Sequence, residues 1–216
     1  MTQIVMQNIN KDDIHKMKTE VFNGKIVVVN NSEEADKAAE ILSKKKILGI
    51  DTETKPSFKK GRVNKVALLQ VATDDIAFIF QLRFTGITDG MKQILEAKDI
   101  LKVGLSLNDD IRALQGRRRF KPANFVELQT LVMKIGILDQ SLQKIYANLF
   151  GMKISKAKQL SNWNVLNLDN GQRRYAALDA VACIRIYRKV KRLIKSCDFI
   201  LQADISQESN NTTQTK

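Results

Sequence analysis

Lys46-Ile47-Leu48-Gly49-Ile50-Asp51-Thr52-Glu53 decides how this chain is read. Its first half is a short apolar run of strand character, and two acids follow one residue apart. Residues two apart on a strand point the same way, so the Asp51 and Glu53 carboxylates face one point. Far along the chain, Tyr175-Ala176-Ala177-Leu178-Asp179-Ala180 sets Tyr175 and Asp179 four apart, on one side of a helix. Asp110 lies between these segments. Bare carboxylates brought together repel unless cations neutralise them, and hard divalent ions such as Mg²⁺ or Mn²⁺ suit all-oxygen ligand sets. Two such ions roughly 3.5–4 Å apart stabilise both the attacking and the leaving oxygen of a phosphodiester cleavage. The pattern points to metal-dependent nuclease chemistry.

Composition supports that direction. The 216 residues suffice for one domain with tails, and 44% apolar with 27% charged residues marks a globular chain. No apolar stretch approaches the length of a membrane span, and the first residues lack the basic start and apolar run of a secretory signal. A cytoplasmic protein with no membrane partner is the expectation. Cys183 and Cys197 have neither metal-binding nor redox spacing. The net charge of +13 favours a polyanionic partner, because each neutralised phosphate releases counterions. Charge alone could serve solubility, but a nucleic-acid substrate accounts for the basic excess and the acids together.

Working outward, residues 27–30 read as a strand and Asn31-Ser32-Glu33-Glu34 as the entry to a helix over 35–43. Residues 47–51, 66–72 and 76–81 read as strands, the last two joined by a Thr73-Asp74-Asp75 turn into a hairpin. A helix over 88–97 precedes a strand over 100–104. Helices then follow over 108–114, 126–134, 141–150 and 170–195. Asp169 is the expected N-cap of the last, with Gln172 at its third position. Leu178, Ala182, Ile186 and Val190 form its apolar stripe, and Asp179 lies beside that stripe. The expected organisation is an N-terminal extension (1–20), one α/β domain (21–200) and a disordered polar tail (201–216). The domain is a mixed sheet flanked by helices, and periodicity leaves its strand order open.

The motifs also resemble a known family. Gly49-Ile50-Asp51-Thr52-Glu53, Val103-Gly104-Leu105-Ser106-Leu107-Asn108-Asp109-Asp110-Ile111-Arg112-Ala113-Leu114 and Tyr175-Ala176-Ala177-Leu178-Asp179-Ala180 occur in order. Lys65-Val66-Ala67-Leu68-Leu69-Gln70-Val71 and Ser161-Asn162-Trp163 fall between them. Over about residues 21–192 the chain resembles the 3′→5′ exonucleases of the DEDD superfamily, in the tyrosine-bearing branch that includes ribonuclease D and the Werner-type exonuclease domain. The resemblance implies a ribonuclease H-like fold. It implies that Asp51, Glu53, Asp110 and Asp179 hold two divalent ions, Mg²⁺ or Mn²⁺, with Asp51 bridging. Tyr175 would orient the attacking water, and nucleoside 5′-monophosphates would leave from a 3′ end. The sole histidine, His15, lies far from every motif, which argues against the sibling branch that carries histidine in place of tyrosine. Asp110 rather than Asp109 matches the second motif; Asp109 reads as a solvated helix-start residue. Asn167 departs from the proline that relatives often carry there. The Werner-type likeness favours DNA over RNA.

Basic clusters surround the motifs: Lys59, Lys60 and Arg62 with Lys65; Arg117, Arg118 and Arg119; Lys153, Lys156 and Lys158; Arg173 and Arg174. Most charge runs are solvated faces. Lys59, Lys60, Arg62, Arg173 and Arg174 stand nearest the acids in sequence and are the candidate phosphate contacts, with Phe58 a candidate for stacking on a terminal base. Trp163 reads as a packing anchor for the last helix. Two rivals come from other classes: a catalytically silent nucleic-acid-binding scaffold, and an accessory subunit of a repair or RNA-processing complex.

Overall fold

The computed structural model describes residues 2–57, 61 and 64–203. Phe58, Lys59, Lys60, Arg62 and the tail from residue 204 lie outside the described residues. In chain order the elements are β1 (Gln3–Met6), α1 (Lys11–Lys16), β2 (Lys25–Val29), α2 (Ser32–Ser43), β3 (Ile47–Thr54), β4 (Val66–Ala72), β5 (Ile76–Gln81), α3 (Leu82–Thr85) and α4 (Asp89–Glu96). Then come β6 (Leu101–Gly104), α5 (Leu107–Gln115), β7 (Phe125–Glu127), α6 (Leu128–Met133), α7 (Leu142–Phe150), α8 (Asn170–Ser196) and β8 (Phe199–Gln202).

Six strands form one mixed sheet in the order β2-β5-β4-β3-β6-β7. β3, β4 and β5 form an antiparallel meander, while β2, β6 and β7 pair parallel to their neighbours. β4 is central, and all seven of its residues are buried. That explains its nearly continuous apolar run, since a strand covered on both faces needs no alternation. Leu69 and Val71 point to a core shared with α2 and α4; Leu68 and Ala72 point to the opposite core, under α6, α7 and α8. This is a ribonuclease H-like fold, a mixed sheet with helices on both faces.

α8 starts where the sequence expects. Asp169 accepts from the Gln172 backbone and Gln172 returns a bond to Asp169, a reciprocal cap that satisfies two otherwise orphaned groups. The helix then crosses β3 in close contact. A methyl group at Gly49 would come within 1.9 Å of the Ala180 carbonyl oxygen, so only glycine lets the two backbones approach there. This contact fixes Asp179, one residue before Ala180, over the acidic end of β3.

Two segments differ from the sequence reading. Residues 126–134 are not one helix: Phe125–Glu127 pairs as a strand with β6, and α6 starts only at Leu128. The β-forming residues Phe125 and Val126 prefer the ladder on an open sheet edge to a first helical turn. At the chain ends, β1 pairs in parallel with β8, which includes Leu201 and Gln202. The Asn148 side chain grips the Met6 backbone at both its N–H and carbonyl, and Ile9 N–H donates to Asp139. Residues 2–20 thus pack on α7 and β8. Among the described residues no helix is long and apolar enough to cross a membrane.

Candidate active site

β3 carries its acids at the end of the strand that outruns β6: Ile47 to Gly49 pair with β6, and Asp51 to Thr54 pair only with β4. Asp51 and Glu53 share the face that also holds Gly49, under α8, as alternation requires. α8 brings Asp179 down onto them. One carboxylate oxygen from each of Asp51, Glu53 and Asp179 lies within 4.8 Å of the other two.

Asp110 joins from α5. Its carboxylate accepts a 2.5 Å hydrogen bond from the Thr52 hydroxyl, which ties α5 to the same strand between the two strand acids. Its charge is felt at both Asp51 and Glu53, although it stands outside the tight trio. Asp109 is solvent-exposed and faces Arg112, as the choice between the neighbours requires.

The electrostatics follow from burial and crowding. Burial drives the Asp51 carboxyl well above the usual range, and the charges of Asp179, Asp110 and Glu53 add to it. Glu53 is pushed up to about 9 by burial and then by Asp179 and Asp110. Burial lifts Asp179 to about 7 against the hydrogen bond from Tyr175. Asp110 rises to about 6, where burial outweighs the Thr52 hydrogen bond and Glu127 and Asp109 add repulsion. The Tyr175 phenol is raised too, through burial and the three acids Asp179, Glu53 and Asp51, so it stays protonated at neutral pH. Within the described part of the site no cation answers these charges. Asp179 Oδ1 is buried without a hydrogen-bond partner. Such a cluster of hard oxygen donors fits divalent cations, which would relieve both the repulsion and the orphaned oxygen.

Glu127 is the residue that sequence reasoning missed. Its carboxylate accepts from the backbone N–H groups of Ser106 (3.0 Å) and Leu107 (2.7 Å) at the start of α5. Ser106 sits in the left-handed region with φ 59° and makes no cap bond of its own, so Glu127 caps the helix that carries Asp110. The signal was the Phe125-Val126-Glu127 strand, hidden by the assignment of Val126 and Glu127 to a helix. Trp163 is buried with its ring centroid 5.8 Å from that of Tyr175, and so backs the start of α8.

The basic candidates separate. Arg174 lines a cavity of about 260 Å³ beside Tyr175, with Lys158, Phe22 and Leu178. Arg173 turns away, bonding the Leu168 carbonyl and facing a groove with Asn30 and Gln81. Arg117 is committed to the Val66 and Leu82 carbonyls, and Arg118 to the Ile87 carbonyl and Asp89. These two arginines hold the fold together.

A family model described as a 3′-5′ exonuclease matches residues 26–195, which include all four acids and Tyr175. The chain belongs to the 3′→5′ exonuclease family. Within it, the motifs place the chain among the DEDD exonucleases, which use divalent metal ions. It is 30% identical over 158 residues to the bifunctional 3′-5′ exonuclease/ATP-dependent helicase WRN of Mus musculus, covering 70% of this chain and 11% of that protein. A 3′-5′ exonuclease of Arabidopsis thaliana is 29% identical over 80% of this chain and 65% of its own length. The chain therefore spans less than two thirds of each of these relatives. Among solved structures, the Aedes aegypti Nibbler EXO domain aligns with a TM-score of 0.76 at 20% identity, covering 84% of this chain and 95% of that one. Escherichia coli RNase D aligns with a TM-score of 0.72 at 16% identity over 80% of this chain and 46% of its own. Both likenesses are of fold.

Proposed function

We propose that this protein is a metal-dependent 3′→5′ exonuclease that removes nucleoside 5′-monophosphates from the 3′ end of a nucleic-acid strand. The convergence of Asp51, Glu53 and Asp179 to within 4.8 Å, with no cation of the described chain among them, carries the reading. Asp51, Glu53 and Asp179, with Asp110 beside them, would hold two divalent ions, Mg²⁺ or Mn²⁺. When bound, such ions lower the pKa of a water and stabilise charge on the phosphate oxygens.

The chain's own groups do the positioning. Tyr175, kept protonated by burial and by the acids, donates a hydrogen bond and does not serve as a base; it orients the attacking water. The water oxygen forms a new bond to phosphorus while the bond from phosphorus to the 3′ oxygen of the penultimate nucleotide breaks. That oxygen leaves with a proton as the new 3′-hydroxyl, and the released nucleotide keeps its 5′-phosphate. Arg174, in the cavity beside Tyr175, would contact a backbone phosphate, which positions a strand without reading sequence; Lys158 in the same cavity is held by Asp169 at 2.7 Å. The Werner-type resemblance of the motifs favours DNA as the substrate; the resemblance to ribonuclease D keeps RNA in the test.

The test is degradation of 5′-labelled, sequence-matched DNA and RNA oligomers with free or blocked 3′ ends, with Mg²⁺, Mn²⁺ or EDTA. A ladder that shortens from free 3′ ends only, and stops in EDTA, is expected, with DNA cut faster. Binding without shortening under every ion condition would leave the silent scaffold in its place. Equal cleavage of blocked ends would overturn the polarity.

A further inference from the structure

Gln70 is fully buried, yet neither its Nε2 nor its Oε1 has a hydrogen-bond partner. Buried amides in native proteins are almost always bonded, so each exception calls for a reason. The position supplies one. β4 is flanked on both sides, and its backbone neighbours are spent in the ladders to β3 and β5. Across β5 the residue opposite Gln70 is Ile79, which offers nothing polar. Across β3 the residue opposite is Asp51.

Directly opposed residues of an antiparallel pair share a face, with Cβ atoms about 5 Å apart. Leu68 and Ala72, two residues either side of Gln70, belong to the core under α8, so Gln70 points to that face too. This is the face on which Asp51 meets Glu53 and Asp179. The two methylenes of a glutamine are long enough to span the gap to the Asp51 carboxylate. An ionised carboxylate accepts hydrogen bonds only, and a glutamine amide offers two N–H donors.

We propose that Gln70 is a positioning residue for Asp51. The amide has no partner in the ion-free chain; with ions held at Asp51, its N–H would turn to donate to the Asp51 carboxylate opposite it and hold that side chain in one orientation. Partners behind a ligating carboxylate commonly set ion affinity by 10–100-fold. The inference rests on the reading of Asp51 as an ion-holding carboxylate, and a merely structural Gln70 would act through packing instead.

Gln70→Met keeps the shape and removes both polar atoms. Three measurements separate the roles: Mn²⁺ affinity by electron paramagnetic resonance, the kinetics (kcat and KM) on a 3′-ended oligonucleotide, and the melting temperature without ions. We expect Mn²⁺ affinity and kcat each to fall by about tenfold or more, KM for the strand to stay within about twofold, and the melting temperature to hold or rise. Unchanged affinity and kcat in a folded variant would overturn the role of Gln70 alone. Wild-type protein that binds no Mn²⁺ would instead sink the reading of the acids, and Gln70 with it. Should the variant not fold, a crystal of the wild-type protein grown with Mn²⁺ decides. Gln70 Nε2 within hydrogen-bond distance of Asp51 upholds the proposal, and an amide directed elsewhere or bridged only by water defeats it.

Discussion

Two sets of buried acids lie on opposite sides of α8 and are treated in opposite ways. At the outer side, Asp139 is almost fully buried but accepts from Lys144 at 2.8 Å and from the Ile9 N–H at 2.8 Å. Nearby, Glu20 accepts from the Tyr146 hydroxyl at 2.7 Å and faces Arg185 at 3.4 Å. At the sheet side, Asp51, Glu53 and Asp179 face one another, and burial and mutual repulsion raise all four carboxyls there, Asp110 included, above the usual range. Among the described residues, cations answer the structural acids and none answers the others. An acid left unanswered in a protein of charge +13 is not short of lysines; it is kept clear for something else.

The largest effect that sharpens this contrast is on activity. Asp179→Asn preserves shape and removes one charge from the trio. A cation pair contributes several kcal/mol to the transition state, and each 1.36 kcal/mol is tenfold, so kcat should drop by about a thousandfold or more. The same substitution relieves repulsion, so the ion-free protein should melt at a higher temperature. Calorimetry beside single-turnover assays checks both, and a variant that loses activity by unfolding would erase the distinction drawn here.

A second effect is on pH. A carboxyl whose folded pKa is raised binds its proton more tightly when folded. Its stabilising contribution is complete below the unfolded value near 4 and is lost as pH rises through the folded one. For Asp110, Asp179 and Glu53 those folded values are about 6, about 7 and about 9. The ion-free protein should therefore lose stability from pH 5 to pH 9, by on the order of 5 °C in melting temperature. Mg²⁺ should restore it, most strongly at the alkaline end, and Glu53→Gln should flatten the slope. A melting temperature indifferent to pH and to Mg²⁺ in both proteins would show that the cluster is no ion site.

Much of this was legible in the sequence because it rests on local rules. Asp51 and Glu53 follow from strand alternation, Tyr175 and Asp179 from helical spacing, and the start of α8 from the Asp169–Gln172 pair. The ladder was less legible. Only pairing reveals that Gln70 stands opposite Asp51, or that Gly49 is the spot where α8 touches the sheet. Val126 and Glu127 read as the start of a helix because so short a strand carries too little periodicity to compete with the helical run behind it. Its strand identity comes from β6 alongside, and the cap that Glu127 gives to α5 comes with it. The basic residues were least legible. Arg117 and Arg118 look like an exposed run but are spent on carbonyls, because a charge pattern does not show which backbone groups lie within reach.

The smallest effect comes from the other side of the helix and closes the comparison. Asp139→Asn keeps the shape but leaves Lys144 without its counter-charge and weakens the acceptor for the Ile9 N–H, which ties residues 2–20 to the domain. Breaking a buried pair by removing one partner costs about 3–5 kcal/mol. The Lys144 side chain is 30% exposed and can find water, so about 2 kcal/mol is the expectation here. Urea denaturation should show that loss, while kcat per folded molecule stays within about twofold, because Asp139 takes no part in the trio. Asp179→Asn and Asp139→Asn are the same chemical change at two buried acids. The first should stabilise and silence the protein, and the second should weaken it and leave it active. If both substitutions moved stability in the same direction, burial alone would explain the acids, and the contrast between the paired Asp139 and an Asp179 that no described cation meets would lose its meaning.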